Sequence, residues 1–100
     1  MSIQNLLQLK GRVYVYLATE EIKEEFLRDA IAEGFTHGDG IPLTERPLSN
    51  IMAVNPNHTL NYVGLIGHIA YGSGTSTVGN QPLIRVDYEK HKGSLQRNNP

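Results

Sequence analysis

A histidine and an aspartate lie two positions apart in the segment Thr36-His37-Gly38-Asp39-Gly40. An imidazole and a carboxylate at this spacing could bind a metal ion or transfer a proton, because the neighbouring glycines permit tight backbone geometry. A metal site usually needs three or four ligands, and its further candidates here are scattered: Glu45, His58, His68, Asp87 and His91. The favoured alternative is a turn in which Asp39 accepts backbone hydrogen bonds and Gly40 takes a positive φ.

Residues 62–74, YVGLIGHIAYGSG, form an apolar run that contains two glycines and a histidine. A strand loses packing and entropy when it accepts glycine, so Gly64 and Gly67 indicate a surface that a ligand or another backbone approaches. If the segment is a strand, Tyr62, Gly64 and His68 share one face and form a groove for a flat ligand or a peptide. The other face, predicted to join the core, carries Val63, Leu65, Gly67, Ile69 and Tyr71. The alternative is that His68 is a half-buried residue with satisfied nitrogens.

Residues 72–77, GSGTST, offer backbone amides and hydroxyls of the kind that surround phosphates. The loop lacks the lysine and the following helix of a P-loop, and a flexible β-turn is the alternative. Two arginines, Arg46 and Arg85, could neutralise an anionic ligand at this loop. The candidate ligand-binding residues are Arg46, Tyr62, Gly64, His68, Tyr71, Ser73, Thr75 and Arg85.

The elements that must position these residues follow from hydrophobic spacing. Residues 12–18, RVYVYLA, alternate in the way typical of a strand. Thr19 is a candidate N-cap and Gly34 a candidate C-cap, and the apolar spacing between them predicts a helix over residues 19–33. Three further strands are predicted, over residues 50–54, 60–70 and 83–88. The first ten residues fit either a short helix or an added strand.

The resulting order, β-α-β-β-β, predicts an α+β domain in which one amphipathic helix packs on one face of a mostly antiparallel sheet. A chain of 100 residues with 39% hydrophobic side chains has the size and composition of one globular domain. Residues 1–89 are predicted to form this domain, and residues 90–100, KHKGSLQRNNP, to form a flexible C-terminal tail.

Composition also bears on function. The absence of cysteine excludes disulfides and thiolate zinc sites, and no cofactor is expected. A formal net charge of -1 argues against nucleic acid as a partner. No segment approaches the ~20 apolar residues of a membrane span, and no basic and apolar leader is recognised, so we predict a cytoplasmic protein without membrane contact.

The string over residues 38–74, GDGIPLTERPLSNIMAVNPNHTLNYVGLIGHIAYGSG, is followed by LIRVDY at residues 83–88. Together these strings are similar to small uncharacterised proteins of bacteriophages and conjugative elements of Gram-positive bacteria. The likeness covers about residues 11–88 and brings no catalytic residues with it. It implies an accessory role in a mobile element, such as binding a host factor or capturing a small signalling molecule.

Three functional hypotheses follow. The preferred one is a non-enzymatic interaction protein that acts on a host factor, with a protein partner or self-association into a homo-oligomer. The second is a protein that binds or sequesters an anionic, nucleotide-like small molecule. The third is a metal-dependent hydrolase built on His37, Asp39 and His68.

Overall fold

The computed structural model describes the backbone of residues 3–97 and the side chains of residues 3–93. The strands are β1 (Arg12–Tyr16), β2 (Thr36–His37), β3 (Ile51–Asn55), β4 (Thr59–Tyr62), β5 (Thr77–Val78) and β6 (Gln81–Asp87). The helices are α1 (Glu20–Ala32), α2 (Gly64–Gly72) and α3 (Tyr88–Arg97), with short 3-10 helices at Gln4–Gln8 and Leu43–Glu45. The predicted α+β class is confirmed.

The strands form one sheet in the order β2-β4-β3-β1-β6-β5. The pairs β1–β3, β3–β4 and β5–β6 are antiparallel, whereas β1–β6 and β2–β4 are parallel. The sheet is therefore mixed, which differs from the mostly antiparallel sheet and the β-α-β-β-β order that we predicted. Strands β3 and β4 form a hairpin, which provides one of the antiparallel pairs.

The two helices α1 and α2 pack on opposite faces of the sheet because they carry the chain across it in opposite directions. The pairings show that β1, β2, β4 and β6 all run the same way. Helix α1 leads from β1 toward the β2 edge, and α2 leads from β4 past β3 and β1 to the opposite edge, where β5 and then β6 follow. Since crossovers between strands of one direction are right-handed, opposite travel places the two helices on opposite faces.

The larger core lies on the first face of the sheet, between the strands and the helices α1 and α3. Val13 and Val15 point to this face from β1, and Phe26 of α1 is fully buried against it. A smaller cluster lies on the second face, under α2, and its buried members are Tyr14, Ile51, Ala53 and Leu83. The first face therefore supplies most of the apolar burial.

Helix α1 begins and ends close to the predicted positions. The side chain of Thr19 accepts a hydrogen bond from the backbone N–H of Ile22 at 3.2 Å. Gly34 follows the helix with a φ of 84°, a conformation that suits glycine. The capping residues Thr19 and Gly34 therefore determine where this helix begins and ends.

We expect Thr19→Ala to lower the free energy of unfolding by about 1 kcal/mol, because an N–H of the first helical turn loses its acceptor. Thr19→Ser keeps a hydroxyl at the same place and should stay within a few tenths of the wild-type value. Urea denaturation followed by circular dichroism measures both variants. Equal destabilisation by Ala and Ser would contradict a capping role for the hydroxyl.

Three segments depart from the sequence-based prediction or complete it. The predicted strand over residues 60–70 is wrong, because β4 ends at Tyr62 and α2 begins at Gly64. Within the first ten residues, Gln4–Gln8 form a 3-10 helix, which is the helical alternative left open above, and residues 1–2 lie outside the described part of the chain. Of the predicted flexible tail, residues 90–97 lie in α3 and residues 98–100 lie outside the described part of the chain.

Helix α3 contacts α1 through an aromatic pair and an ion pair. The buried ring of Tyr88 meets Phe26 edge to face, with ring centroids 4.9 Å apart. Lys92 contacts the carboxylates of Asp29 at 2.9 Å and Glu25 at 3.4 Å. Burial alone would lower the pKa of Lys92, but its hydrogen bond to Asp29 and the two negative charges raise it overall.

Candidate functional site

Helix α2 exposes large apolar side chains instead of burying them. Leu65, Ile66 and Ile69 are 78%, 83% and 59% exposed. These three residues, which we call the α2 patch, lie side by side because helical positions three and four apart are neighbours. A helix that is apolar on every side is normally enclosed by protein, and a contiguous apolar patch marks an interaction site.

The inward side of α2 carries the small residues Gly67 and Ala70 beside Tyr71, and the large aliphatic residues face out. Gly67 is buried, and a Cβ at this position would lie 2.4 Å from the Cβ of Val63 and 3.6 Å from the ring of Tyr14. Ala70 packs against the same cluster on the second face of the sheet. Glycine and alanine therefore let the helix approach the strands closely. Gly67 is therefore a packing residue, as its predicted place on the core face requires, whereas Leu65 and Ile69, predicted on the same face, are exposed.

The surroundings of the α2 patch carry no formal charge in the sequence. Between Arg46 and Arg85 the chain contains no Asp, Glu, Lys or Arg. His68 is exposed on the same helix, and Gly64, with a φ of 67°, makes the turn from β4 into α2. The three side chains of the α2 patch therefore lie on a helix that carries no formal charge, which the strand interpretation of this segment missed, although Arg85 and Asp87 of β6 lie near its C-terminal end. The long charge-free run in the sequence is the signal that could have revealed it.

Four of the predicted ligand-binding residues come together at the C-terminal end of α2. Arg85 donates from Nε to the carbonyl of Tyr71 at 2.8 Å, and from Nη2 to the carbonyls of Ala70 at 2.9 Å and Thr75 at 2.6 Å. The hydroxyls of Ser73 and Thr75 lie 2.8 Å apart. Arg85 thus caps the last turn of α2 and holds the following loop, so its Nε and Nη2 already have acceptors.

The side chain of Tyr71 packs at the C-terminal end of α2, between the helix and the sheet. Its ring lies 5.9 Å from the ring of Tyr16 and 5.8 Å from the guanidinium carbon of Arg85. Burial, together with the charge of Asp87, raises the pKa of Tyr71. The phenol is therefore held as part of the packing between α2 and the sheet.

Arg46 does not join Arg85 but lies beside the His37 segment. Its Nη1 donates to Oδ2 of Asp39 at 2.9 Å, and this hydrogen bond, with one from the backbone of Ile41, lowers the pKa of Asp39. Gly40 has a φ of 86°. The predicted turn around Asp39 is therefore confirmed.

His37 pairs with Leu60 in the sheet and so faces the first side, where its ring stacks on Tyr62 at 5.7 Å. His68 sits on α2, on the other side of the sheet, so the histidines proposed for a hydrolase do not converge. Within residues 3–97, no group of three or more His, Cys, Asp or Glu side chains is arranged to hold a metal ion. Tyr62 lies close to His37 and Arg46, and away from the predicted ligand-binding residues at the C-terminal end of α2.

None of the helices in the described part of the chain has the length and apolarity that crossing a membrane requires. Comparison of the sequence and structure with protein-family models, with curated proteins and with solved structures found no match. The function must therefore be argued from the surface and the cavities of this chain.

Proposed function

We propose that this chain is a non-enzymatic interaction protein that associates through the α2 patch, and that the patch binds the same patch of a second copy. The exposure of Leu65, Ile66 and Ile69 on a helix without polar cover is the observation that carries the proposal. Burying these side chains removes apolar surface from water, which is the main driving force of association.

The lack of charge around the patch supports a second copy as the partner. In a symmetric dimer each residue near the two-fold axis meets its own counterpart, so a charged residue there would face a like charge. The run between Arg46 and Arg85 supplies no such charge. Homodimer interfaces are also more apolar than interfaces between proteins that associate transiently.

The same lack of charge disfavours a lipid surface. Helices that lie in a membrane interface combine an apolar face with Lys or Arg that attracts anionic headgroups. The nearest arginine after the patch, Arg85, donates to three backbone carbonyls, and the other face of α2 is occupied by the sheet. A protein surface therefore suits the α2 patch better.

We expect the wild-type chain to form a dimer and Ile66→Lys to weaken self-association at least about tenfold, because each dimer would bury two ammonium groups at its centre. Sedimentation equilibrium over a wide concentration range measures the dissociation constant. The matched control is Ile31→Lys, which places the same charge on an exposed isoleucine of α1 that is 48% accessible. This control should dimerise like the wild type.

A wild-type chain that stays monomeric at millimolar concentration would refute the proposed dimer. Equal weakening by Ile31→Lys would show that net charge, and not the α2 patch, governs association. Binding of the wild-type monomer to liposomes, lost in Ile66→Lys, would instead identify a lipid surface as the occupant and also refute the proposal.

An accessory role in a mobile element, in which the dimer acts on a host factor, is part of the same proposal. It rests only on the resemblance that the sequence suggested for residues 11–88, because the comparisons with known proteins found no match. The neighbouring genes test it directly. Phage or conjugation genes on both sides would support the role, and a conserved housekeeping operon would contradict it.

A further inference from the structure

An open groove runs along helix α1, on the face of the sheet opposite to the α2 patch. It lies between one side of α1 and the loop that follows the 3-10 helix Leu43–Glu45. This α1 groove has a volume of about 310 Å³, and its walls are Glu20, Lys23, Glu24, Leu27, Pro47 and Leu48. Pockets for small molecules span roughly 300–1,000 Å³, so the α1 groove has room for one or two side chains of a partner.

The floor of the α1 groove is apolar. Its four helical residues form one side of α1, because positions three and four apart are neighbours on a helix. Leu27 is partly buried and packs against the main core, and Leu48 is 9% exposed and belongs to that core. Pro47 borders them at the surface. A partner that covers this floor removes apolar surface from water, which favours binding.

The loop wall of the α1 groove is held in place by the rest of the fold. The carbonyl oxygen of Pro47 accepts a hydrogen bond from the hydroxyl of Tyr62. The side chain of Leu48 is anchored in the core, and the hydroxyl of Ser49 donates to the carbonyl of Ile51 at 2.7 Å. A wall that is already ordered lowers the entropic cost of binding a partner.

The cation in the wall of the α1 groove is already neutralised. The ammonium group of Lys23 contacts a carboxylate oxygen of Glu20 at 3.2 Å. Only 18% of the Lys23 side chain is exposed, so its methylene groups extend the apolar wall. Glu20 lies in the first turn of α1, where the helix dipole stabilises a carboxylate. Both charged groups therefore contribute to the fold itself.

Glu24 is the carboxylate of the α1 groove that the fold does not explain. It lies beyond the first turn of α1, where the helix dipole no longer favours an acid. Arg28 follows one turn later, yet within residues 3–93 no ion pair joins Glu24 to Arg28 or to another cation. An unpaired carboxylate at the rim of an apolar groove is complementary to a cation that lies next to an apolar side chain.

The rest of α1 strengthens the negative potential around the α1 groove. The helix carries five acidic and two basic residues, and Lys92 of α3 pairs with Glu25 and Asp29 on another side of it. This potential attracts basic segments and repels polyanions such as nucleic acid. A second copy of the chain presents the same acidic helix, so the α1 groove suits a different protein.

We propose that the α1 groove binds a basic segment of a partner protein. An apolar side chain of that segment lies against Leu27 and Leu48, and a neighbouring Lys or Arg pairs with Glu24. The α1 groove and the α2 patch lie on opposite faces of the sheet. Binding in the α1 groove therefore does not require the proposed dimer.

The test is a titration of the full, isotope-labelled chain with capped pentapeptides, followed by two-dimensional NMR of the backbone amides. The basic peptide has Leu-Lys-Leu at its centre. In the neutral, acidic and polar peptides, Gln replaces Lys, Glu replaces Lys, or Ser replaces both Leu. We expect the basic peptide to bind with a Kd of about 1 mM or tighter and to shift the amide signals of the α1 groove. The acidic and polar peptides should bind at least about fivefold more weakly.

Two variants locate the ion pair. Glu24→Gln removes the charge of an exposed side chain, where folding is not at risk, and should weaken the basic peptide about two- to fivefold. It should bind the neutral peptide as the wild type does, because each change alone removes the same ion pair. Glu21→Gln, the matched control, removes a charge from α1 outside the α1 groove and should change binding of the basic peptide by less than about twofold.

Four results would overturn the proposal. The first is absence of binding by the basic peptide at millimolar concentration, or amide shifts confined to the α2 patch. The second is equal binding of the basic and acidic peptides. The third is an equal loss with Glu24→Gln and Glu21→Gln. The fourth is binding of butylamine as tight as that of the basic peptide, which would identify a small amine as the occupant.

Discussion

Replacing Arg85 with alanine should lower the free energy of unfolding by about 2–4 kcal/mol and weaken self-association of the chain. The guanidinium donates to the carbonyls of Ala70, Tyr71 and Thr75, which closes the last turn of α2 and ties the following loop to β6. Without it, carbonyls at the end of a short helix lose their donors, and such helices depend on tertiary contacts. The α2 patch would then be carried by a helix that frays.

Urea denaturation and sedimentation equilibrium measure the two effects of the Arg85 substitution. Arg85→Lys should be nearly as damaging as alanine, because one ammonium group cannot reproduce the fork that reaches three carbonyls. Arg28→Ala, on the exposed side of α1, is the matched control and should change stability by less than about 0.5 kcal/mol. A loss below about 1 kcal/mol for Arg85→Ala would show that α2 is held mainly by its packing.

The parts of the fold that the sequence predicted well are those determined by local chemistry. Helix α1 has an N-cap at Thr19, an apolar stripe through Phe26 and a glycine at position 34. Strand β1 alternates cleanly because one of its faces meets the main core and the other meets the smaller cluster. In both elements the spacing of the apolar side chains along the sequence matches the periodicity of the backbone conformation.

The sequence does not identify α2 as a helix, because its large apolar residues do not form a stripe that faces the core. A short apolar run fits a buried strand and a buried helix equally well. The small residues Gly67 and Ala70 face the sheet while Leu65 and Ile66 face solvent, so the helix has its large side chains on the side opposite to a core helix. Gly64 and Gly67 are accounted for by the turn into α2 and by close packing.

The grouping of the site residues depended on topology that no local signal contains. Arg46 and Arg85 were both assigned to the glycine and serine loop, but Arg46 follows β2 and Arg85 lies on β6, at the far side of the sheet. The strand order follows from the two crossovers, which run through α1 and α2. The second crossover cannot be predicted unless α2 is recognised as a helix. The His37 turn was predictable because Asp39 and Gly40 determine it locally.

The largest loss of stability is expected from Phe26→Ala, at about 3–5 kcal/mol. Phe26 is fully buried on α1, and its ring meets Tyr88 edge to face, so its removal leaves a cavity between α1 and α3 and breaks an aromatic pair. Tyr88 also donates its hydroxyl hydrogen to Asp29, which in turn contacts Lys92. The loss should therefore extend to the docking of α3.

Urea unfolding of Phe26→Ala is best measured in the Ile66→Lys background, because a dimer would make the apparent stability depend on protein concentration. Ile31→Ala, an exposed position on the same helix, serves as the control and should cost less than about 1 kcal/mol. A midpoint that shifts at constant m value assigns the change to the folded core. If Phe26→Ala cost no more than Ile31→Ala, α3 would not be packed on α1, and the first face of the sheet would be open to a partner as well.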